Sequence, residues 1–237
     1  MTDSVVLTAP ASSASPVPAA LLSPTARTTH KRARHHGVAE RAALVDVLQS
    51  AKLCHMGVTV GGVPMVFPTA YGFDLDGPDR GGSIYVHGSV ASRSLAPDNE
   101  ICITITILDG LVLARSGFHH SMNYRSGIVV GSPRVVTDGD ERVKALNLIV
   151  DQVVPGRSQH LRDHTRKEMA ATAVLALPLY EASVKARTGG PGDDAADIGI
   201  ETVWAGVVPA ATHFGEPIPS EDLDSGVALP DHISTML

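Results

Sequence analysis

Aromatic side chains are scarce in this sequence. One Trp, four Tyr and four Phe make up 4% of 237 residues. A core built mainly from rings is excluded, and the plentiful Val, Ile, Ala and Thr point to sheet packed by β-branched groups. Cysteine is nearly absent. Cys54 and Cys102 are too few for a disulfide framework, and both read as buried thiols of a reducing cytoplasm. The Cys54-His55 pair lacks further ligands at metal spacing, so no metal is expected. Basic residues number 19 against 25 acidic ones, a net charge of −6, and this field does not attract nucleic acid. No apolar run has membrane-spanning length, because Ile101 to Ala114 is interrupted by Asp109-Gly110. Dinucleotide and Walker fingerprints, internal repeats and a hydrolase nucleophile elbow are all missing.

What is present is sheet-forming sequence of ordinary apolar content, 43%. Residues 1–36 are Ala, Ser, Pro and Thr followed by a basic cluster from Arg27 to His36, the reverse of a secretory leader. They read as a disordered tail. Residues 37–210 read as one domain and 211–237 as a Pro-rich surface extension. Within the domain, Val38–Lys52 has the spacing of an amphipathic helix. Strands are expected at Leu53–Val60, Val63–Phe73, Ser83–His87, Glu100–Leu108, Tyr124–Val136, Ala173–Arg187 and Thr202–Val208. Gly61-Gly62 is a two-residue hairpin turn. Pro64 and Pro68 mark Val63–Phe73 as an edge or bulged strand. Asp109-Gly110 is read as a turn. Capping boxes at Asp138–Glu141 and Thr165–Glu168 open two helices. Six or seven strands with short links suit a small closed or partly closed barrel better than a doubly wound sheet.

Four clusters carry the candidate chemistry. In Tyr85–Leu95 a strand bearing His87 turns at Gly88-Ser89 and enters a possible helix start at Ser92-Arg93. Hydroxyls, orphan amides and a guanidinium at such a turn suit an anionic group. The plain alternative is a surface turn with one solvated arginine. At Phe67–Gly72, proline thins the backbone ladder near Pro68, Thr69 and Tyr71, offering main-chain donors and acceptors beside a flat wall. Arg115–Ser126 is dense in bonding and titrating groups, including His119, His120, Tyr124 and Ser126. Lys185 and Arg187 place cations near Trp204. Each cluster alone also reads as ordinary structure. Together they favour a phosphorylated planar cofactor.

The spacing Pro68-Thr69-x-Tyr71, Tyr85-Val86-His87-Gly88, Ser92-Arg93 and Ser121–Ser126, closing with Gly131, resembles the flavin-nucleotide-binding branch of the pyridoxamine-phosphate-oxidase-like split barrels. That branch includes the nitroimidazole-resistance reductases. The resemblance spans roughly 38–210. It implies a mainly β fold with flanking helices, a six-stranded split barrel, and a homodimer holding FMN in two clefts between subunits. It implies that Ser89, Ser92 and Arg93 hold the FMN phosphate and that Pro68, Thr69 and Tyr71 lie along the isoalloxazine. Tyr124 and Ser126 match the strand beside the cofactor. Lys185, Arg187 and Trp204 fall near the oxidases' C-terminal Arg/Trp contribution. His87 matches the histidine on the substrate side of the flavin, and a neutral-range imidazole makes it the expected proton donor. The oxidases' substrate-phosphate arginines are not recognisable, so a small nitroaromatic or heterocyclic substrate is expected rather than pyridoxamine phosphate. Some split-barrel relatives bind haem or a deazaflavin, and His119 or His120 then becomes the expected haem ligand. The rival to an FMN-dependent oxidoreductase is a non-catalytic flavin- or haem-binding sensor or store.

Overall fold

The computed structural model describes residues 21–23, 25–95 and 100–236. The chain order of its main elements is β1 (Gly37–Val38), α1 (Arg41–Ser50), β2 (Cys54–Val60), β3 (Val63–Thr69), β4 (Tyr71–Asp74), β5 (Ser83–Ser89), β6 (Ile101–Leu113), β7 (Ser121–Gly131), β8 (Arg134–Val135), α2 (Gly139–Val153), α3 (Arg166–Ala171), β9 (Thr172–Pro178), β10 (Ala182–Arg187) and β11 (Gly206–Pro209). Two antiparallel sheets result. The larger has the order β1-β10-β7-β6-β2-β3, with β11 on β6; the smaller is β4-β5-β9-β8. The fold is mainly β with flanking helices, a split barrel.

Three runs that read as single strands each divide between the two sheets. Val63–Phe73 breaks at Ala70 into β3 and β4, Tyr124–Val136 breaks after Gly131 into β7 and β8, and Ala173–Arg187 breaks after Pro178 into β9 and β10. Proline supplies no ladder donor at Pro133 or Pro178, so neither run can continue in one sheet there. These three corners, with the two-residue β1 as an addition, turn seven expected strands into eleven segments among the described residues. Asp109-Gly110 does not turn the chain. It sits in a register shift between Leu108 and Gly110 within a 13-residue β6, held by Arg125, whose Nη2 donates to Asp109 at 2.9 Å. Gly61 and Gly62 both have positive φ, 58° and 83°, as the expected hairpin requires.

Alternation decides the layers. The barrel core lies between the sheets, where Met56, Val58, Ile101, Ile103 and Ile105 meet Ile84, Val86, Leu175 and Leu177, with Leu44, Val47 and Leu48 of α1. A second core lies on the outside of the smaller sheet. There Tyr85, Val174 and Ala176 meet Ala145, Leu146 and Ile149 of α2. Helix and sheet approach so closely that a Cβ on Gly72 would stand 2.7 Å from the Ile149 backbone nitrogen.

Part of the expected tail is docked. Residues 1–20 and 24 lie outside the described residues. Leu22 is buried, its amide donates to Ala39 O at 2.8 Å, and the amide of Ser23 donates to Ala182 O at 2.7 Å. Arg27 forms a two-pronged pair with Glu181 (2.6 and 2.7 Å) and donates to Glu100 at 2.9 Å. The guanidinium holds the Glu181 carboxyl down at about 2. His30 Nε2 lies 3.0 Å from Val184 O. Composition reads this segment as free because, apart from Leu22, its anchors are ion pairs and main-chain bonds rather than apolar residues.

Candidate functional site

The outer face of the larger sheet collects the polar residues that alternate with the barrel core. Strand register sets Tyr124 opposite Arg187 and Ser126 opposite Lys185. It also sets Ser126 opposite Thr106, and their hydroxyls are 3.2 Å apart. A cavity of about 340 Å³ lies over Tyr124, Ser126 and Lys185, walled by Thr28 and His30 of the docked N-terminal segment. A second cavity of about 590 Å³ lies over Thr106, Leu108 and His55, bounded by Phe214. Thr106 and Ser126 are the seam between them. The first has a cationic rim. Burial, then His35, Arg187 and Lys185, lower the pKa of nearby His36.

The expected residues divide by role. Lys185 makes no hydrogen bond or ion pair among the described residues and faces the cavity. Arg187 is engaged: its Nη1 donates to Asn123 Oδ1 at 2.6 Å and its Nη2 to Gly190 O at 3.0 Å, pinning the loop after β10. Trp204 lies in the loop before β11, 65% exposed, with its ring over Gly206. Pro68 is exposed on the outer face opposite His55, and Thr69 ends the same strand. At Tyr71 the expectation concerned the main chain, and the structure gives the side chain a separate task. Its side chain is fully buried, and its hydroxyl donates to Leu48 O at 2.7 Å, tying β4 to α1. Only its backbone remains for a ligand. Cys54 faces the core and His55 the outer face; burial pushes the Cys54 thiol up to about 12.

The anion turn forms, away from this patch. Ser89 Oγ accepts from the Ala91 amide at 3.2 Å, and the Ser92 and Ser94 hydroxyls are 2.7 Å apart. Arg93 is exposed and without a partner among the described residues. The turn packs on β2 and precedes β6. Tyr124 pairs with Leu108, seven residues beyond Ile101, about 23 Å at strand rise. Arg93 lines neither cavity of the outer face.

His87 points elsewhere again. It follows Tyr85 on the outside of the smaller sheet and meets a cavity of about 490 Å³ between that sheet, α2 and α3. The lining is aliphatic, from Leu146, Ile149, Val150 and Val153, with the imidazole of His164 and the guanidinium of Arg157 also contributing. Desolvation lowers the His87 pKa, so the neutral imidazole with a free lone pair dominates near pH 7. His164 is only loosely held, with Nε2 3.3 Å from Asn147 Oδ1. The sequence hides His164 because it stands beside the Thr165 capping box, which marks a helix start and says nothing of an imidazole. His119 and His120 lie in a surface loop. His119 Nε2 is 3.2 Å from Asp194, and His120 Nδ1 is 2.9 Å from Ser116 O. Neither lines the cavity. No helix of the described residues is long and apolar enough to cross a membrane.

The family described as pyridoxamine 5′-phosphate oxidase matches residues 40–186. A comparison with curated proteins returns no match. Among solved structures the chain is similar to the flavocytochrome Anf3 from Azotobacter vinelandii. The two are 34% identical over 91% of this chain and 99% of that one, with a TM-score of 0.81. It is similar to the FAD and haem binding protein from Mycobacterium smegmatis, 36% identical over 85% of this chain and 97% of that one, with a TM-score of 0.76. A protein from Bacteroides thetaiotaomicron described as a candidate for 5-nitroimidazole antibiotic resistance shares the fold, at 20% identity over 63% of this chain and 85% of that one, with a TM-score of 0.51.

Proposed function

The chain belongs to the pyridoxamine 5′-phosphate oxidase family, and from that premise we propose that it is a redox protein holding a flavin nucleotide on the outer face of its larger sheet. The observation that carries this is the row Thr106, Ser126, Lys185, which runs across three paired strands under two adjoining cavities. A bound flavin supplies hydride and electron transfer. The chain's own part is binding and orientation. Lys185 offers an ammonium to a phosphate, Thr106 and Ser126 offer hydroxyls to polar edges, and the exposed Pro68 provides a flat surface.

Arg93 belongs to the proposal through a second copy. Two-fold pairing through the outer face of the larger sheet is the arrangement that carries the Ser89, Ser92 and Arg93 turn of one chain to the Tyr124 patch of the other. Val66, Leu108, Leu111 and Met122, all more than 40% exposed, supply apolar area for such pairing.

The cavity beside His87 favours haem as a further group. An aliphatic pocket, two imidazoles and a guanidinium for propionate are what an iron porphyrin needs, and the Azotobacter and Mycobacterium relatives carry haem-related names. His87 is the proposed axial ligand, with His164 facing the same space. In this reading His87 serves as a ligand in place of the expected proton donor, a role that the lowering of its pKa by desolvation favours.

Ser126→Leu and Lys185→Glu test the flavin face. Each is expected to weaken flavin binding on the order of tenfold or more, as loss of a charge-assisted contact would, without changing the thermal midpoint. Fluorescence titration measures the binding. Full affinity in both variants argues against this face.

A further inference from the structure

Arg27 to His30 lie outside the family match, which begins at residue 40, yet they are fixed firmly to the barrel. Apart from Leu22, which joins the barrel core, the segment buries little apolar surface. It is held by the Arg27 pairs to Glu181 and Glu100, by main-chain bonds at Leu22 and Ser23, and by His30 on Val184 O. These anchors place Thr28, Thr29 and His30 over Lys185, Ser126 and Ser183 as the far wall of the 340 Å³ cavity. The result is a polar chamber, with an ammonium on its floor and hydroxyls on two walls, opening at Thr106–Ser126 into the larger cavity.

The two chambers differ in chemistry. The larger is bordered by Leu53, Ile107, Leu108 and Phe214, which suit a flat apolar ring. The smaller presents hydroxyls and cations, which suit a diphosphate and a ribose. A flavin mononucleotide has no second half for the smaller chamber. We infer that the docked segment Arg27–His30 builds the binding site for the adenylate half of a flavin dinucleotide, and that it makes the chain select FAD over FMN. The inference rests on the flavin-face reading above.

The test uses the full-length chain, stripped of flavin and titrated separately with FAD and FMN. Wild type is expected to bind FAD at least tenfold more tightly than FMN. Arg27→Glu sets like charge against Glu181 and Glu100 and undocks the segment. Ile128→Trp fills the chamber from the β7 floor while leaving the anchors. Both are expected to lower FAD affinity tenfold or more and to leave FMN affinity within twofold, so selectivity disappears. Equal wild-type affinities, or variants that weaken both flavins alike, would overturn the assignment while leaving the flavin face standing. Selectivity unchanged in both variants overturns it as well. If wild type takes up neither flavin, the flavin face itself fails and the adenylate site with it.

Discussion

His87→Ala is expected to remove haem from the protein and leave flavin in place. The imidazole stands at the end of β5 with no hydrogen-bond partner among the described residues, and it faces an aliphatic cavity that lowers its pKa. Removing it takes away the nitrogen lone pair that the cavity offers to iron, and the remaining lining is hydrocarbon apart from His164, Arg157, Glu168, Thr172 and the Met169 thioether. The loss in haem affinity should be on the order of a hundredfold, as for a disrupted metal site. It is read as the disappearance of the Soret band after reconstitution with hemin. The flavin face lies on the other sheet, so flavin content is expected to stay unchanged. Partial return of the band on adding free imidazole would identify ligation rather than collapse. A full Soret band in the variant would remove His87 from the site, and His164→Ala then shows whether the other imidazole is the ligand.

The second large effect is on stability. Arg134 of β8 bonds Asp79 through Nε (2.8 Å) and Nη2 (2.9 Å), and it bonds Glu141 through Nη1 (3.0 Å) and Nη2 (2.5 Å). Ser83 donates to Asp79 at 2.7 Å, and Tyr85 donates to Glu141 at 3.0 Å. The two carboxylates are only 11% and 16% exposed. Arg134→Leu leaves both without their cation, close to where α2 begins. Stripping one partner from such a pair costs about 3 kcal/mol. For a chain of this size that is a fall of about 9 °C in the thermal midpoint. Scanning calorimetry reads it directly. A midpoint within about 2 °C of wild type would mean that packing of Leu146 and Ile149, not this network, holds α2 to the sheet.

The barrel was legible because β6 alternates Ile101, Ile103 and Ile105 with Cys102, Thr104 and Thr106, and the structure buries the first set and turns the second outward. Capping at Thr165 was legible for the same reason: it is local. The corners were not. Pro68, Pro133 and Pro178 signal interruption, but which sheet the chain enters next depends on contacts far away in sequence. The candidate site was legible as a set of residue types and not as one place. Ser126 and Lys185 meet because β7 and β10 pair; Arg187 lies on the same strand but is taken up by Asn123 and Gly190 O, partners that no spacing rule reveals. Tyr71 carries a packing role that its motif position does not show, since its hydroxyl is engaged with the main chain of α1 and the residue after it. Arg27 and His30 were hidden by a low-complexity neighbourhood, since only the fold brings Glu181 and Val184 to them.

A flavin held on the outer face of the larger sheet would colour the protein. The most direct measurement is the absorption spectrum of the full-length protein, with extraction of whatever chromophore it carries and titration of the stripped protein with FAD and FMN. The account predicts paired flavin bands that bleach with dithionite, with saturation near one flavin per chain. An isolated protein without flavin bands that also fails to take up either nucleotide would contradict it.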